Sequence, residues 1–449
     1  MRNLRHAFQG TLILLVVLWL VAEPTVFRSN GFFALRGAMV QLTGVVAIGC
    51  MGLAMVLALR PLWPQTWLGG LDKMYRLHKW LGIAALVAAI LHWLWAKGPK
   101  WAVGWGWLER PARGPRAPSD SVVGAWLSGQ RGLAESIGEW TFYAVVILIA
   151  LALIQRFPYR LFHKTHRLLA VTWLALAWHT LVLMKPGYWL SPVGWLVAAL
   201  LVGGTWAALV VLAGRVGAGR KVPGTVKALH WFNDVRSLEI EVELRGWPGH
   251  KPGQYAFVTV DAPEGAHPFT ITSSWDPADP VITFGIRELG DYTRGLRNRL
   301  AIGQPLKVEG PYGCFTFDDD RAHQIWIGGG VGVTPFIARM KHLAREQADP
   351  DSRATRQIHL FHTTVEPDQE VFERLARDAR LAQVQLHILV DARDGLLTGE
   401  RLRSEVPEWR KAGIWFCGPA GFGEALKRDL AGHGFPVDTR FHQELFSMR

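Results

Sequence analysis

The stretch His78-Lys79-Trp80-Leu81-Gly82-Ile83-Ala84-Ala85-Leu86-Val87-Ala88-Ala89-Ile90-Leu91-His92 is an apolar run bracketed by two histidines, and its reading decides the fold. Continued to Ala96, it is long enough as a helix to cross a bilayer core, which takes ~20 apolar residues for ~30 Å. Runs of the same kind recur at 10–27, 36–59, 139–155, 166–184 and 193–213. The alternative is a set of buried helices in a soluble core. So few acids between so many apolar runs argue against it, and six transmembrane helices are expected. Arg2 and Arg5 precede the first run as they would in a signal peptide, but no small-residue cleavage site follows, so a retained helix is favoured.

At 449 residues the chain is too long for one ordinary domain. Its net charge of +12 conceals two unlike halves. Residues 1–221 hold 22 Lys+Arg against 6 Asp+Glu, and 222–449 hold 27 against 31, so +16 and −4 make up the total. That the excess comes from an apolar, acid-poor half argues against a nucleic-acid binder, which would cluster basic residues on a soluble surface. Three scattered cysteines, Cys50, Cys314 and Cys417, are too few for a disulfide framework or a zinc site.

Orientation follows from the loops. With the N-terminus inside, cytoplasmic segments carry Arg2 and Arg5, then Arg60, Lys73, Arg76 and Lys79, then Arg156, Arg160, Lys164 and Arg167, then Arg215, Arg220 and Lys221. Short outer loops hold only Arg28, Arg36 and Lys185, and the longer outer segment 97–138 mixes both signs. Six spans return the chain to the cytoplasm. An integral protein of the cytoplasmic (plasma) membrane is expected, in contact with lipid and with both termini cytoplasmic.

Ionisable residues within membrane helices are costly and usually functional. The third helix carries His78 and His92, the fifth His166 and His179. A single membrane histidine is often a packing residue, but two pairs of near-equal spacing on two helices suit axial haem ligation in a bundle core. Separations of 14 and 13 residues correspond to rises of ~21 and ~20 Å. They place His78 with His166 at the inner level and His92 with His179 at the outer. At ~100° per residue, 13 residues fall ~140° off a common face, so some distortion or crossing of the fifth helix is expected. His163 is the alternative inner ligand, and a snorkelling interface residue is its plainer reading.

These helices and histidine spacings resemble the ferric reductase-like transmembrane domain shared by NADPH oxidases and ferric reductases. That resemblance implies two b-type haems between helices three and five.

Residues 222–310 read as short strands, Leu238–Leu244, Tyr255–Val260 and Val281–Arg287, suggesting a small antiparallel barrel. Next comes an apolar strand with a glycine-rich turn, Gly328-Gly329-Gly330-Val331-Gly332-Val333-Thr334-Pro335, leading into a helix at 336–346. Glycines between strand and helix let a backbone approach a pyrophosphate, though the turn alone is weak evidence. Strands at 357–362, 385–390 and 413–416 continue an α/β alternation.

Across 222–449 the sequence resembles ferredoxin–NADP reductase-type flavoproteins, with His267-Pro268-Phe269-Thr270 standing where that family has R-x-Y-[ST]. The resemblance implies that His267, Pro268, Phe269 and Thr270 hold FAD, with Phe269 against the flavin ring and Thr270 near its reactive nitrogen. It further implies Arg287 and Thr293 at the FAD phosphates, and Gly328, Gly330, Gly332, Thr334 and Pro335 around NAD(P)H. Cys417-Gly418-Pro419 would lie beside the nicotinamide, and Phe446 over the flavin. A buried strand-end thiol is the plainer reading of Cys417, and a packing aromatic that of Phe446.

The expected architecture is a six-helix transmembrane haem domain at 1–215, an FAD-binding antiparallel β-barrel at 222–318 and a Rossmann-like NAD(P)-binding domain at 319–449. The implied activity moves electrons from NADPH or NADH through FAD and two haems to an acceptor outside, either oxygen, giving superoxide, or a ferric chelate. The alternative is electron delivery to an extracytoplasmic protein partner; a haem sensor without catalysis would leave the flavin half unexplained. Arg36 reads either as a stabiliser of reduced oxygen or as an interface anchor, and Trp173 as inter-haem filler or packing. No Arg follows the strand 357–362, and Arg393 is distant, so use of both nucleotides is expected.

Overall fold

The computed structural model describes residues 2–24, 26, 31–109, 122–154, 156–261, 264–319, 321–347 and 356–444, without the side chains of Val123, Tyr159, Arg160 and Asp291. The chain divides into two compact units. One takes in the residues up to Pro64 and Lys73–Val216, the other Gln65–Asp72 and the chain from Gly217 onward.

Six helices of the first unit are long and apolar enough to cross a membrane: α1 (Arg2–Ala22), α2 (Phe32–Ala58), α3 (Leu71–Gly104), α4 (Arg131–Leu153), α5 (Tyr159–Leu183) and α6 (Pro192–Leu212). Each covers most of one of the apolar runs and starts before it, as flanking Lys, Arg and Gln, good helix formers that hydropathy does not count, allow. At 34 residues, α3 is ~51 Å long, well beyond the hydrocarbon core. Prolines set two starts: Pro158 precedes α5, and Pro192 opens α6, where its missing N–H has no helical partner to lose. The last carbonyls of α6, at Val211 and Leu212, accept from the Arg167 guanidinium.

Pro99 lies inside α3 and cannot donate to the carbonyl four residues back, that of Trp95. Arg36 fills this gap from α2. Its Nε donates to Trp95 O at 3.1 Å and its Nη2 to Ala96 O at 3.0 Å. The guanidinium is therefore part of the bundle's backbone bonding rather than a free cation. Arg36→Met should lower the unfolding free energy of the detergent-solubilised chain by about 1–3 kcal/mol. Pro99→Ala, which restores the helical N–H, should recover most of that loss in the double variant; equal losses with and without the proline would refute the pairing.

The second unit holds two sheets. The first is antiparallel and contains β1 (Lys221–Phe232), β2 (Ser237–Leu244), β3 (Tyr255–Thr259), β4 (His267–Thr270), β5 (Val281–Arg287) and β6 (Pro305–Tyr312), in the order β4-β3-β6-β1-β2-β5. Its inner face packs Val226, Ile240, Val242, Ile282, Phe284 and Val308. The longest strand, β1, has no counterpart in the strand reading above, because Pro223-Gly224 looks like a turn. In the sheet Gly224 is where β1 passes closest to its neighbours; a Cβ there would strike Val242 and Leu244 of β2.

The expected barrel is not closed. Its end strands, β4 and β5, meet only at an isolated Ile271–Phe284 bridge beside the Thr272 N–H to Thr283 O bond of 2.8 Å. β4 has only four residues, one of them Pro268, and its ladder is made with β3, leaving little to pair with β5.

The second sheet is parallel: β7 (His323–Gly329), β8 (Gln357–Thr364), β9 (Gln385–Val390), β10 (Gly413–Cys417) and β11 (Phe441–Gln443), in the order β11-β10-β7-β8-β9. Helices α7 (Thr334–Gln347), α8 (Gln369–Leu381) and α9 (Ala420–Gly432) alternate with the strands. Apolar clusters cover both faces, which is why its strands read as continuous hydrophobic runs. This is a Rossmann-like arrangement.

Candidate functional site

Two histidines of α3 meet two of α5. The His78 and His166 rings lie 5.9 Å apart between centroids, inclined at 63°. Those of His92 and His179 lie 6.1 Å apart, at 78°. Two imidazoles bound to one metal at ~2 Å each, with ring centres ~1 Å behind their nitrogens, stand ~6 Å apart. The separations therefore fit one metal atom between the members of each pair.

Three of the rings are oriented by main-chain carbonyls. His78 Nδ1 bonds Ala54 O at 2.9 Å, His92 Nδ1 bonds Val40 O at 2.9 Å, and His179 Nδ1 bonds Ala134 O at 2.8 Å. A carbonyl only accepts, so Nδ1 carries the proton and Nε2 keeps the lone pair that ligates a metal. Small residues leave room for the rings: a Cβ on Gly44 would press on His92, and one on Gly138 would overlap His179. His166 lies flat against Phe162, 5.0 Å away at 25°. His163 is exposed and belongs to neither pair.

Among the described residues no cluster of three or more His, Cys, Asp or Glu could hold a metal ion. Two imidazoles and nothing further is the donor set of a haem iron, whose remaining ligands come from the porphyrin. The pairs α4–α5, α2–α6 and α5–α6 approach closely along their backbones, whereas α3 makes no such extended approach to any helix. The α5 helix runs unbroken from Tyr159 to Leu183, so side-chain direction and helix crossing, not a break, absorb its 13-residue offset. Trp173, fully buried in α5, lies against Gly52 of α2 and Gly204 of α6 and donates to Thr205 Oγ1 at 3.3 Å. It serves as packing.

In the parallel sheet, β7 leads through α7 and β8 to one side, whereas β10 returns to the other side of β7. Ligands of open α/β sheets bind outside the strand C-termini where the order reverses in this way. Two turns meet there, Gly328–Val333 after β7 and Cys417-Gly418-Pro419 after β10. Their backbones touch. A Cβ on Gly332 would overlap the Cys417 carbonyl, one on Gly328 would strike Val333, and one on Gly418 would crowd Gly329. Gly330, at φ +55°, instead faces Arg287 Nη1. Thr334 is buried, its hydroxyl bonded to Val331 O at 3.0 Å, and Pro335 follows it in the first turn of α7. The Cys417 thiol is fully buried, and burial together with the Glu444 carboxylate holds it well above the usual thiol range. It stays protonated.

The flavin-type stretch forms β4. Thr270 is buried, and Phe269 packs beside Phe284 at the sheet's edge. His267 stacks on Tyr292, with ring centroids 3.5 Å apart at 12°, and the Arg299 guanidinium lies over the Tyr292 ring at 4.8 Å. The Tyr292 hydroxyl is buried and has no hydrogen-bond partner among the described residues. An orphaned buried phenol beside the stretch fits a polar ligand there. Arg287 Nη2 pairs with Glu366 Oε2 at 2.6 Å, just beyond β8. Thr293 accepts from the Leu289 and Gly290 N–H groups at 2.9 and 3.0 Å and donates to Gly290 O, so its hydroxyl shapes the 289–293 loop. Arg393, the distant candidate for nucleotide selectivity, is paired with Asp394 at 2.9 Å. Phe446 lies outside the described residues. Sequence reading missed the three carbonyl anchors and the two small residues beside His92 and His179; Gly44 inside one apolar run and Gly138 just before another were the available signal.

Residues 43–177 match the family described as ferric reductase like transmembrane component, and residues 233–316 match an FAD-binding domain. The chain is 28% identical over 247 residues to the glycine betaine monooxygenase reductase subunit of Pseudomonas aeruginosa, covering 51% of this chain and 64% of that one. It is 25% identical over 391 residues to respiratory burst oxidase homolog protein E of Arabidopsis thaliana, covering 64% of this chain and 40% of that one. The latter match is longer than the second unit alone can supply. Each spans less than two thirds of the relative's own length. Among solved structures, the ferredoxin reductase in carbazole 1,9a-dioxygenase superposes with a TM-score of 0.43 at 19% identity, over 50% of this chain and 69% of that one.

Proposed function

Because the chain carries a ferric reductase-like transmembrane component followed by an FAD-binding reductase domain, we propose that it is a transmembrane oxidoreductase passing electrons from cytoplasmic NADPH or NADH, by way of FAD and two b-type haems, to an acceptor on the other side. The observation that carries this reading is the pair of facing histidine pairs, each at metal-bridging separation, with three of four rings held in the ligating tautomer.

When bound, FAD supplies the conversion of a two-electron hydride into single electrons, and the haems supply single-electron carriage. The protein's own residues do the rest. His78 and His166 would hold the inner haem, and His92 and His179 the outer. The sheet of 222–318 would hold FAD through His267, Pro268, Phe269 and Thr270, with Arg287 beside the dinucleotide and Thr293 setting the loop. The unit of 319–449 would receive NAD(P)H at the reversal of strand order, along Gly328–Pro335 and Cys417-Gly418-Pro419, where the protonated thiol adds no charge near the nicotinamide. Oxygen or a ferric chelate is the proposed acceptor.

An optical spectrum of the detergent-purified chain, air-oxidised and then given NADPH or NADH with FAD, tests this. A Soret band shifting to a reduced low-spin form is the expected result. A signal sensitive to superoxide dismutase would assign oxygen as acceptor; slow reoxidation in air would assign a ferric or protein acceptor. No haem band in folded, haem-supplied protein would overturn the reading.

A further inference from the structure

Resting on the FAD reading above, we propose that Tyr292 is an additional positioning residue for that cofactor, its phenol O–H donating to a phosphate oxygen of the dinucleotide. Tyr292 lies on the short turn after β5, and three features of its surroundings point the same way.

The first is the orphaned hydroxyl. It is shielded from solvent and has no partner among the described residues. A buried O–H left without an acceptor costs more than an exposed one, so a group that accepts from it when the site fills is the economical explanation. The second is the column in which the ring is fixed. His267 stacks on the ring at 3.5 Å and the Arg299 guanidinium lies over it at 4.8 Å. Arg299 is itself tied down, to the Tyr292 carbonyl at 2.6 Å and to Asp261 at 3.3 Å. The phenol therefore points one way and cannot swing toward an alternative acceptor. The third is charge. Burial pushes the Tyr292 phenol up to about 12, so the group remains a neutral donor at any working pH. A donor stacked with a guanidinium and an imidazole favours an anionic acceptor, and phosphate is the anionic part of FAD.

The test uses the full chain in detergent, stripped of flavin, and follows quenching of flavin fluorescence on titration. Wild-type protein should bind FAD; if it does not, the FAD reading itself fails. Tyr292→Phe keeps both ring contacts and removes one oxygen. It should weaken FAD binding by about 10-fold or more, the worth of a hydrogen bond to a charged group. Riboflavin, which lacks phosphate, should bind both proteins alike. The flavin-free variant should unfold at the same temperature as wild type or higher, because it no longer buries an unpaired hydroxyl. Unchanged FAD affinity in the variant would overturn the proposal, and so would equal losses for FAD and riboflavin.

Discussion

Replacing His92 by alanine will cut the haem content of the purified chain from two per protein to one and abolish electron delivery to any acceptor beyond it. The ring of His92 faces that of His179 at 6.1 Å. Its Nδ1–H is held by Val40 O, and Gly44 gives it space; alanine removes the ring without supplying a ligand in its place. The reductase half is untouched. Reduction of a dye that takes electrons directly from flavin should therefore stay within about twofold of wild type, while NAD(P)H-driven reduction of the outward acceptor falls to background; that contrast separates a lost ligand from a misfolded protein. Pyridine haemochrome counts the haems. Two haems retained, with outward transfer intact, would remove His92 from the ligand set.

Gly332→Ala should have the second largest effect, in the parallel-sheet part of the second unit. The new methyl would lie within the carbonyl oxygen of Cys417, and neither atom belongs to a flexible side chain. One of the two turns at the ends of β7 and β10 must move. Overpacking of this kind costs about 1–3 kcal/mol, and a displacement of ~1 Å at a binding turn is worth ~10²-fold in rate. NAD(P)H-driven flavin reduction should fall by about that factor, whereas haem reduction by dithionite, which bypasses the nucleotide, should not change. Gly421→Ala is the control. Its Cβ would meet nothing within 4 Å, and both rates should match wild type.

Much of this was legible in the sequence, for physical reasons that differ from element to element. Bilayer-length apolar runs reveal spans because nothing else buries ~20 consecutive apolar residues, and all six became helices. The histidine pairing was readable because helical rise converts spacing into depth. The carbonyl anchors were not, since Val40, Ala54 and Ala134 are ordinary apolar residues whose carbonyls matter only once helices pack. The antiparallel strands could be found from alternation, but whether the first sheet closes depends on pairing between β4 and β5, which no local pattern encodes. β1 was missed because Pro223-Gly224 reads as a break when its neighbours are unknown. Tyr292 lies 25 residues beyond His267, and nothing in the intervening sequence suggests that the two rings stack.

The bond between Arg36 and the carbonyl of Trp95 also bears on how the chain is made. Arg36 emerges from the ribosome 63 residues before Pro99, the residue that creates its acceptor. At a synthesis rate of ~5–20 residues per second, the guanidinium waits ~3–13 s at the membrane surface before that acceptor exists. During this interval it must remain hydrated, so α2 cannot settle to its final depth until α3 has been threaded beside it. The ends of these two helices that Arg36 joins therefore mature together, as one late step of membrane insertion.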